Sequence, residues 1–182
     1  MTRIVAGTAG GRQLAVPRRG TRPTSDRVRE ALFSAVEAAM DLEDARVLDL
    51  YAGTGALGLE ALSRGAGHAL LVESDPGAVS VLRRNVSALA LPGARVRQGK
   101  VATVLAEPAP EPFDLVFSDP PYALSGPALS ADLAALSAWT RPGTLVVVER
   151  ARRSAGFEWP AAWEPGRVRT YGDTALHWAS VG

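Results

Sequence analysis

Cysteine is missing altogether, and with it go disulfides, thiolate nucleophiles and thiolate metal ligands. Histidine is nearly absent: His68 and His177 stand far apart, so no metal site is expected. No run of about 20 apolar residues occurs, so no segment is expected to cross a membrane as a helix. The opening MTRIVAGTAGGRQ lacks the apolar stretch of a secretory signal. A soluble, cytoplasmic protein is the expectation. Lysine is reduced to Lys100, so arginine carries nearly all of the positive charge. The net charge of +1 hides an asymmetry. Between residues 1 and 30, Arg3, Arg12, Arg18, Arg19, Arg22, Arg27 and Arg29 face only Asp26 and Glu30, which leaves the remainder acidic. Such an arm suits a phosphate backbone, although a merely solvated arm has the same composition.

With 182 residues and 47% hydrophobic content, one sizeable domain with its own core is the default. From residue 45 onward, short apolar runs alternate with helical patterns. Residues 45–52, 68–74, 94–99, 113–119 and 143–150 read as strands, and 56–66, 76–89, 100–107 and 129–139 as helices. Pro76 suits a first helical turn. This alternation implies an α/β, Rossmann-like fold with a largely parallel, doubly wound sheet. RVRTYGD and ALHWASV near the end read as a closing antiparallel pair. Before this core, RIVAG and RQLAVP suggest a small hairpin, and residues 24–40 a helix capped by Thr24 or Ser25. On that helix Val28, Leu32, Val36 and Met40 recur every four residues. Two units are therefore expected: a basic hairpin and helix over residues 1–40 that contacts substrate, and a cofactor-binding domain over 41–182.

DLYAGTGALG, residues 49–58, contains Gly53-Thr54-Gly55-Ala56-Leu57-Gly58, the spacing of a dinucleotide-binding turn. Glycines at a strand-to-helix turn let a ligand approach the backbone closely, a property shared by several cofactor classes. Asp49, four residues before Gly53, distinguishes among them. A carboxylate there opposes a pyrophosphate but suits a cofactor carrying ammonium and sulfonium charge, as S-adenosylmethionine does. Glu73 ends the second strand, placed for ribose hydroxyls, and is compatible with either cofactor. A helix-capping role for Asp49 and a solvated strand end for Glu73 are the structural alternatives.

FDLVFSDPPY places Asp119-Pro120-Pro121-Tyr122 at the end of the fourth strand, where open parallel sheets bind ligands. Two prolines fix the backbone and remove two donors while their carbonyls still accept. An acceptor-rich, rigid corner beside an aromatic ring suits the exocyclic amine of a nucleobase, with Tyr122 stacking on the base. A plain Pro-Pro turn is the structural alternative.

Through RIVAG, GGRQL, RPTSDRVREALF, DLYAGTGALGLEALSRGA, VESD and SDPPY, the chain resembles the class I S-adenosylmethionine-dependent methyltransferases. More closely it is similar to the RsmD-type family of bacterial 16S ribosomal RNA guanine-N2 methyltransferases, and the resemblance covers nearly the whole chain. It implies a seven-stranded sheet, S-adenosylmethionine as cofactor, and methylation of guanine 966 in 16S rRNA or an assembling 30S subunit. It assigns Asp49, Tyr51, Gly53, Thr54, Gly55 and Gly58 to the cofactor. Glu73 and Ser74 would meet the ribose, and Asp119, Pro120, Pro121 and Tyr122 the target guanine, with Asp119 also near the cofactor. Arg22, Thr24, Asp26, Arg27 and Arg29 would lie near the crevice and RNA entry. One departure is Gly99-Lys100, where relatives place an acid or amide for adenine; backbone groups of Lys100 and Val101 are left to read that edge. Nothing demands a metal or a dimer. An adenine-N6 or protein-glutamine methyltransferase would use the same acceptor corner, but the basic arm fits structured RNA better. A non-catalytic RNA-binding module is disfavoured by the intact glycines and acids, and an NAD-dependent oxidoreductase by the lack of an obvious proton donor.

Overall fold

The computed structural model describes residues 2–18 and 24–182. Two short antiparallel strands, β1 (Thr2–Arg3) and β2 (Gln13–Leu14), precede helix α1 (Asp26–Ala39). The expected hairpin is thus reduced to two residues a side. Its continuation is diverted because the Val5 and Ala6 amides donate to the Glu60 carboxylate instead of to a strand. Ser25 caps α1 by accepting from the Val28 amide. The buried face of α1 is Arg29, Leu32, Phe33 and Val36, while Met40 lies beyond the helix in extended backbone. Val28 and Met40 pack partly buried against the same core, and the periodicity does not anticipate Arg29, which is fully buried beside Val28.

The alternation then runs as β3 (Arg46–Leu50), α2 (Ala56–Ser63), β4 (His68–Glu73), α3 (Pro76–Leu89), β5 (Ala94–Gln98), α4 (Val101–Leu105), β6 (Phe113–Ser118), α5 (Gly126–Leu136) and β7 (Thr140–Ala151). Helix α5 starts earlier than its apolar pattern because Ser125 caps it and Pro127 fits its first turn. The chain closes with β8 (Glu164–Tyr171) and β9 (Thr174–Ser180). One seven-stranded sheet has the order β5-β4-β3-β6-β7-β9-β8, parallel through β7, with β9 antiparallel to both β7 and β8. The direction of winding reverses between β3 and β6, and ligands of such sheets bind outside the strand ends at that switch point.

Both sheet faces are covered, which is why the parallel strands read as continuous apolar runs. One face packs α1, α2 and α3 through Phe33, Leu59, Leu71, Leu82 and Phe117, with Phe33 and Phe117 rings 5.5 Å apart. The other packs α4 and α5 through Leu105, Leu133, Leu136, Trp139 and Val148. The described residues before β3 share the former core, since Ile4, Leu14 and Leu32 belong to the same cluster. Buried polar groups tie that segment to α2. Glu60 takes the Val5 and Ala6 amides at 2.7 and 3.0 Å, and Arg64 at 3.0 Å, with the Arg29 guanidinium 3.6 Å away. Ser63 bonds both the Ala6 carbonyl and the Ala9 amide. Among the described residues, no helix is long and apolar enough to cross a membrane.

Candidate active site

β3 delivers the chain to the switch point, and the turn after it is tight enough to need left-handed backbone at Tyr51, Gly53 and Gly55. The strain at Tyr51 is held by its hydroxyl, which donates to Asp132 on α5. The three glycines have separate roles. Gly53 borders a cleft, and a Cβ there would meet nothing within 4 Å. At Gly58 a Cβ would lie 2.7 Å from the Leu71 side chain and 3.3 Å from the Asp49 Cβ, so this glycine lets α2 pack on β3 and β4. Gly55 faces Leu82 and Leu59. Gly55 and Gly58 thus shape the turn from inside and do not line the cleft.

Asp49, 1% exposed, accepts the Gly58 amide at 2.9 Å and so caps α2 from inside the turn. Burial pushes its carboxyl up to about 8; the Gly58 amide opposes the rise and the charge of Glu73 adds to it. Glu73 is fixed by three amides at 2.9 Å: Gly53 on one oxygen, Ser74 and Asp75 on the other. Of about four lone-pair directions on a carboxylate, the freest is on the oxygen that holds only Gly53.

Register brings the remaining groups in. Leu50 pairs with Ser118, and Ser118 with Val148, so Asp119, just past β6, and Glu149, near the end of β7, stand side by side. The Asp119 amide reaches back to the Leu50 carbonyl. Burial, then the charges of Glu149 and Asp49, hold the Asp119 carboxyl well above the usual range. Glu149 is also raised by burial, against the Thr24 hydroxyl, which donates to its two oxygens at 3.0 and 3.2 Å. Arg150 is buried beside them and donates to the Leu124 and Ala155 carbonyls, clamping the loop that carries Pro120, Pro121 and Tyr122. Tyr122 is 66% exposed at the mouth, a ring without a stacking partner among the described residues.

The result is one cleft of about 390 Å³ whose wall includes Thr24, Tyr51, Thr54, Ser74 and Pro120–Tyr122 together with four carboxyl groups, Asp49, Glu73, Asp119 and Glu149. Sequence reasoning does not single out Glu149 or Arg150. The available signal is an acid ending an apolar strand, as in LVVVER, the same sign that marks Asp49, Glu73 and Asp119. Lys100 is exposed and Val101 buried in the core; neither lines the cleft. Among the described residues no group of three or more acid or histidine side chains is placed to hold a metal ion.

The arginine expectations divide. Arg29 is corrected outright: it is fully buried, bonded to Asp26 and the Arg3 carbonyl, and cannot touch RNA. Arg3 pairs with Asp26, and Arg12 donates to the Ala88 carbonyl. Arg18 and Arg27 are exposed, and Arg19 and Arg22 lie outside the described residues.

Comparison with known proteins identifies relatives of the whole chain. The family model described as "Conserved hypothetical protein 95" matches residues 2–180. Ribosomal RNA small subunit methyltransferase D of Escherichia coli K12 is 38% identical over 174 residues, covering 95% of this chain and 86% of the relative. Among solved structures, the Escherichia coli protein yhhF superposes with a TM-score of 0.87 at 36% identity, covering 99% of this chain and 97% of that one. A hypothetical protein of Thermus thermophilus gives 0.85 at 38% identity, covering 100% of both chains. On these matches the chain belongs to the conserved hypothetical protein 95 family, the family of the ribosomal RNA small subunit methyltransferases D.

Proposed function

We propose that this protein is a 16S ribosomal RNA methyltransferase that uses S-adenosylmethionine to methylate the exocyclic N2 amine of a guanine, position 966 by family. The observation that carries this reading is the convergence of four carboxyl groups, at or near the C-terminal ends of β3, β4, β6 and β7, on one cleft beside the rigid Asp119–Tyr122 corner. Buried acids this crowded are relieved by a ligand carrying positive charge, and the open space at Gly53 leaves room for it along the turn. Asp49 would face that charge, and the freer oxygen of Glu73 would accept from a ribose hydroxyl.

When bound, S-adenosylmethionine supplies a methyl group already activated on a sulfonium. The protein's task is then placement. Asp119 and the Pro120 carbonyl accept the two amine hydrogens and aim the nitrogen lone pair at the methyl carbon. An amine alkylated there would be cationic and acidic, within reach of the Asp119 carboxyl. Burial and the charges of Glu149 and Asp49 raise the proton affinity of Asp119, which suits it to accept a proton from the alkylated amine. Asp119 therefore takes the amine proton at the moment it becomes acidic. A paired guanine cannot present this amine, so the base must be unpaired or flipped, with the exposed Tyr122 ring as its stacking partner. The exposed Arg18 and Arg27 contact flanking phosphates, in the cytoplasm where subunits assemble.

The test is incubation with methyl-labelled S-adenosylmethionine and small ribosomal subunits from cells lacking the endogenous enzyme, followed by nucleoside analysis. The expected product is N2-methylguanosine at one site. Label in adenine or in a protein glutamine refutes the target atom while keeping a methyltransferase.

A further inference from the structure

We propose that the rim formed by the end of β7 and the β8–β9 hairpin is a second RNA-phosphate surface, carried by Arg152, Arg153 and Arg169. It grips the strand flanking the target base from the side opposite the switch point. This rests on the reading of the protein as an rRNA methyltransferase.

Three observations place these arginines. First, Arg150, Ala151 and Thr174 line the cleft, so the residues after Ala151 stand at its rim. The Arg152 amide donates to the Asp173 carbonyl at 2.7 Å, which sets Arg152 and Arg153 over the hairpin turn. Second, cross-strand register pairs Glu149 with Leu176 and Leu176 with Arg169. Paired residues share a sheet face, so Arg169 lies on the same face as Glu149, two strands away. At about 4.8 Å per strand that is about 10 Å from the Glu149 backbone. Thr24 reaches Glu149, so the N-terminal segment meets the cleft at this point too. Third, all three arginines are exposed and form no ion pair among the described residues, whereas Arg3, Arg46, Arg64, Arg97 and Arg141 are paired.

The cleft interior explains why phosphate must be held here. With the carboxyl groups of Asp49, Glu73, Asp119 and Glu149 on its wall it offers a polyanion little to bind, so backbone contacts have to lie outside the mouth while only the base enters. Asp173 is the one acid of the hairpin turn, and Glu164 is at the far end of β8. Arginines also protect an edge strand from pairing with another chain. That role fits Arg167, which covers the Trp178 ring at 5.4 Å. It does not account for Arg152 and Arg153, which follow an interior strand.

The experiment measures binding of 16S rRNA, and methylation of small subunits, across a salt series for the wild type, R153Q, R152Q/R153Q, R169Q, R169K and R95Q. Arg95 lies on β5 at the opposite sheet edge. Each lost phosphate contact should lower the slope of log affinity against log salt by about 0.7–0.9. The glutamine variants should raise KM for subunits with kcat and S-adenosylmethionine affinity retained, R169K should keep the wild-type slope, and R95Q should match wild type. Wild-type slopes and KM in R152Q/R153Q and R169Q would overturn the surface while leaving the enzyme reading intact. Failure of the wild type itself to bind or methylate rRNA would overturn both. R153Q, in a solvent-facing turn, supplies the same readout should the double variant not fold.

Discussion

Asp49→Asn should make the protein more stable at alkaline pH while removing cofactor binding. Asp49 is fully buried, and its carboxyl rises from 3.8 to about 8 in the folded state. A raised carboxyl binds its proton more tightly in the folded than in the unfolded chain. Its contribution is therefore fully present below about pH 4 and is lost as pH climbs through 8. At about 1.36 kcal/mol per unit, the rise amounts to at most about 6 kcal/mol. Asparagine keeps the volume and an oxygen to accept the Gly58 amide but cannot ionise. Urea unfolding should thus give a variant about 1–2 kcal/mol more stable than wild type at pH 5 and several kcal/mol more stable at pH 9. Calorimetric titration with S-adenosylmethionine should in parallel show binding lost or severely weakened in the variant. A variant less stable than wild type at pH 9 by the same margin as at pH 5 would refute the reasoning. It would mean that the Gly58 amide and the N-terminus of α2 already compensate the ionised carboxylate.

Asp119→Ala should abolish methyl transfer while leaving S-adenosylmethionine affinity within a few-fold of wild type, and comparable loss of both would remove Asp119 from the amine. Glu60→Gln removes the buried carboxylate that pairs with Arg64 at 3.0 Å and lies 3.6 Å from the Arg29 guanidinium, and it takes one acceptor from the Val5 and Ala6 amides. Urea unfolding should show a loss of about 3–5 kcal/mol, the usual cost of breaking a buried ion pair. Asn85 on α3 bonds the Ala15 amide and carbonyl on one side and the Thr54 carbonyl on the other. Asn85→Ala should weaken cofactor binding through the released glycine turn, with stability lowered by about 1–3 kcal/mol for the unpaired groups. Unchanged cofactor affinity in a folded Asn85→Ala protein would show that the turn is set without it.

What the sequence by itself determined is local. Apolar runs buried on both faces announce parallel strands, a Pro at the first turn and a Ser before an amphipathic stretch announce helix starts, and acids that end such strands announce a cleft at the sheet's C-terminal edge. Asp49, Glu73 and Asp119 were legible this way because strand ends in a doubly wound sheet converge whatever the loops do. Tertiary structure decided what depends on register and on long-range partners. Glu149 joins the site because β7 pairs with β6 at Ser118 and Val148, a pairing that no local pattern encodes. Arg29 leaves the RNA face because it is buried among Asp26, the Arg3 carbonyl and Glu60, two of them distant in sequence. Gly55 and Gly58 proved to be packing positions, since only the folded distance between α2 and β4 says which glycine faces solvent. Charge along a chain is additive and readable, but whether a charge faces water, a partner or a ligand is a property of three dimensions.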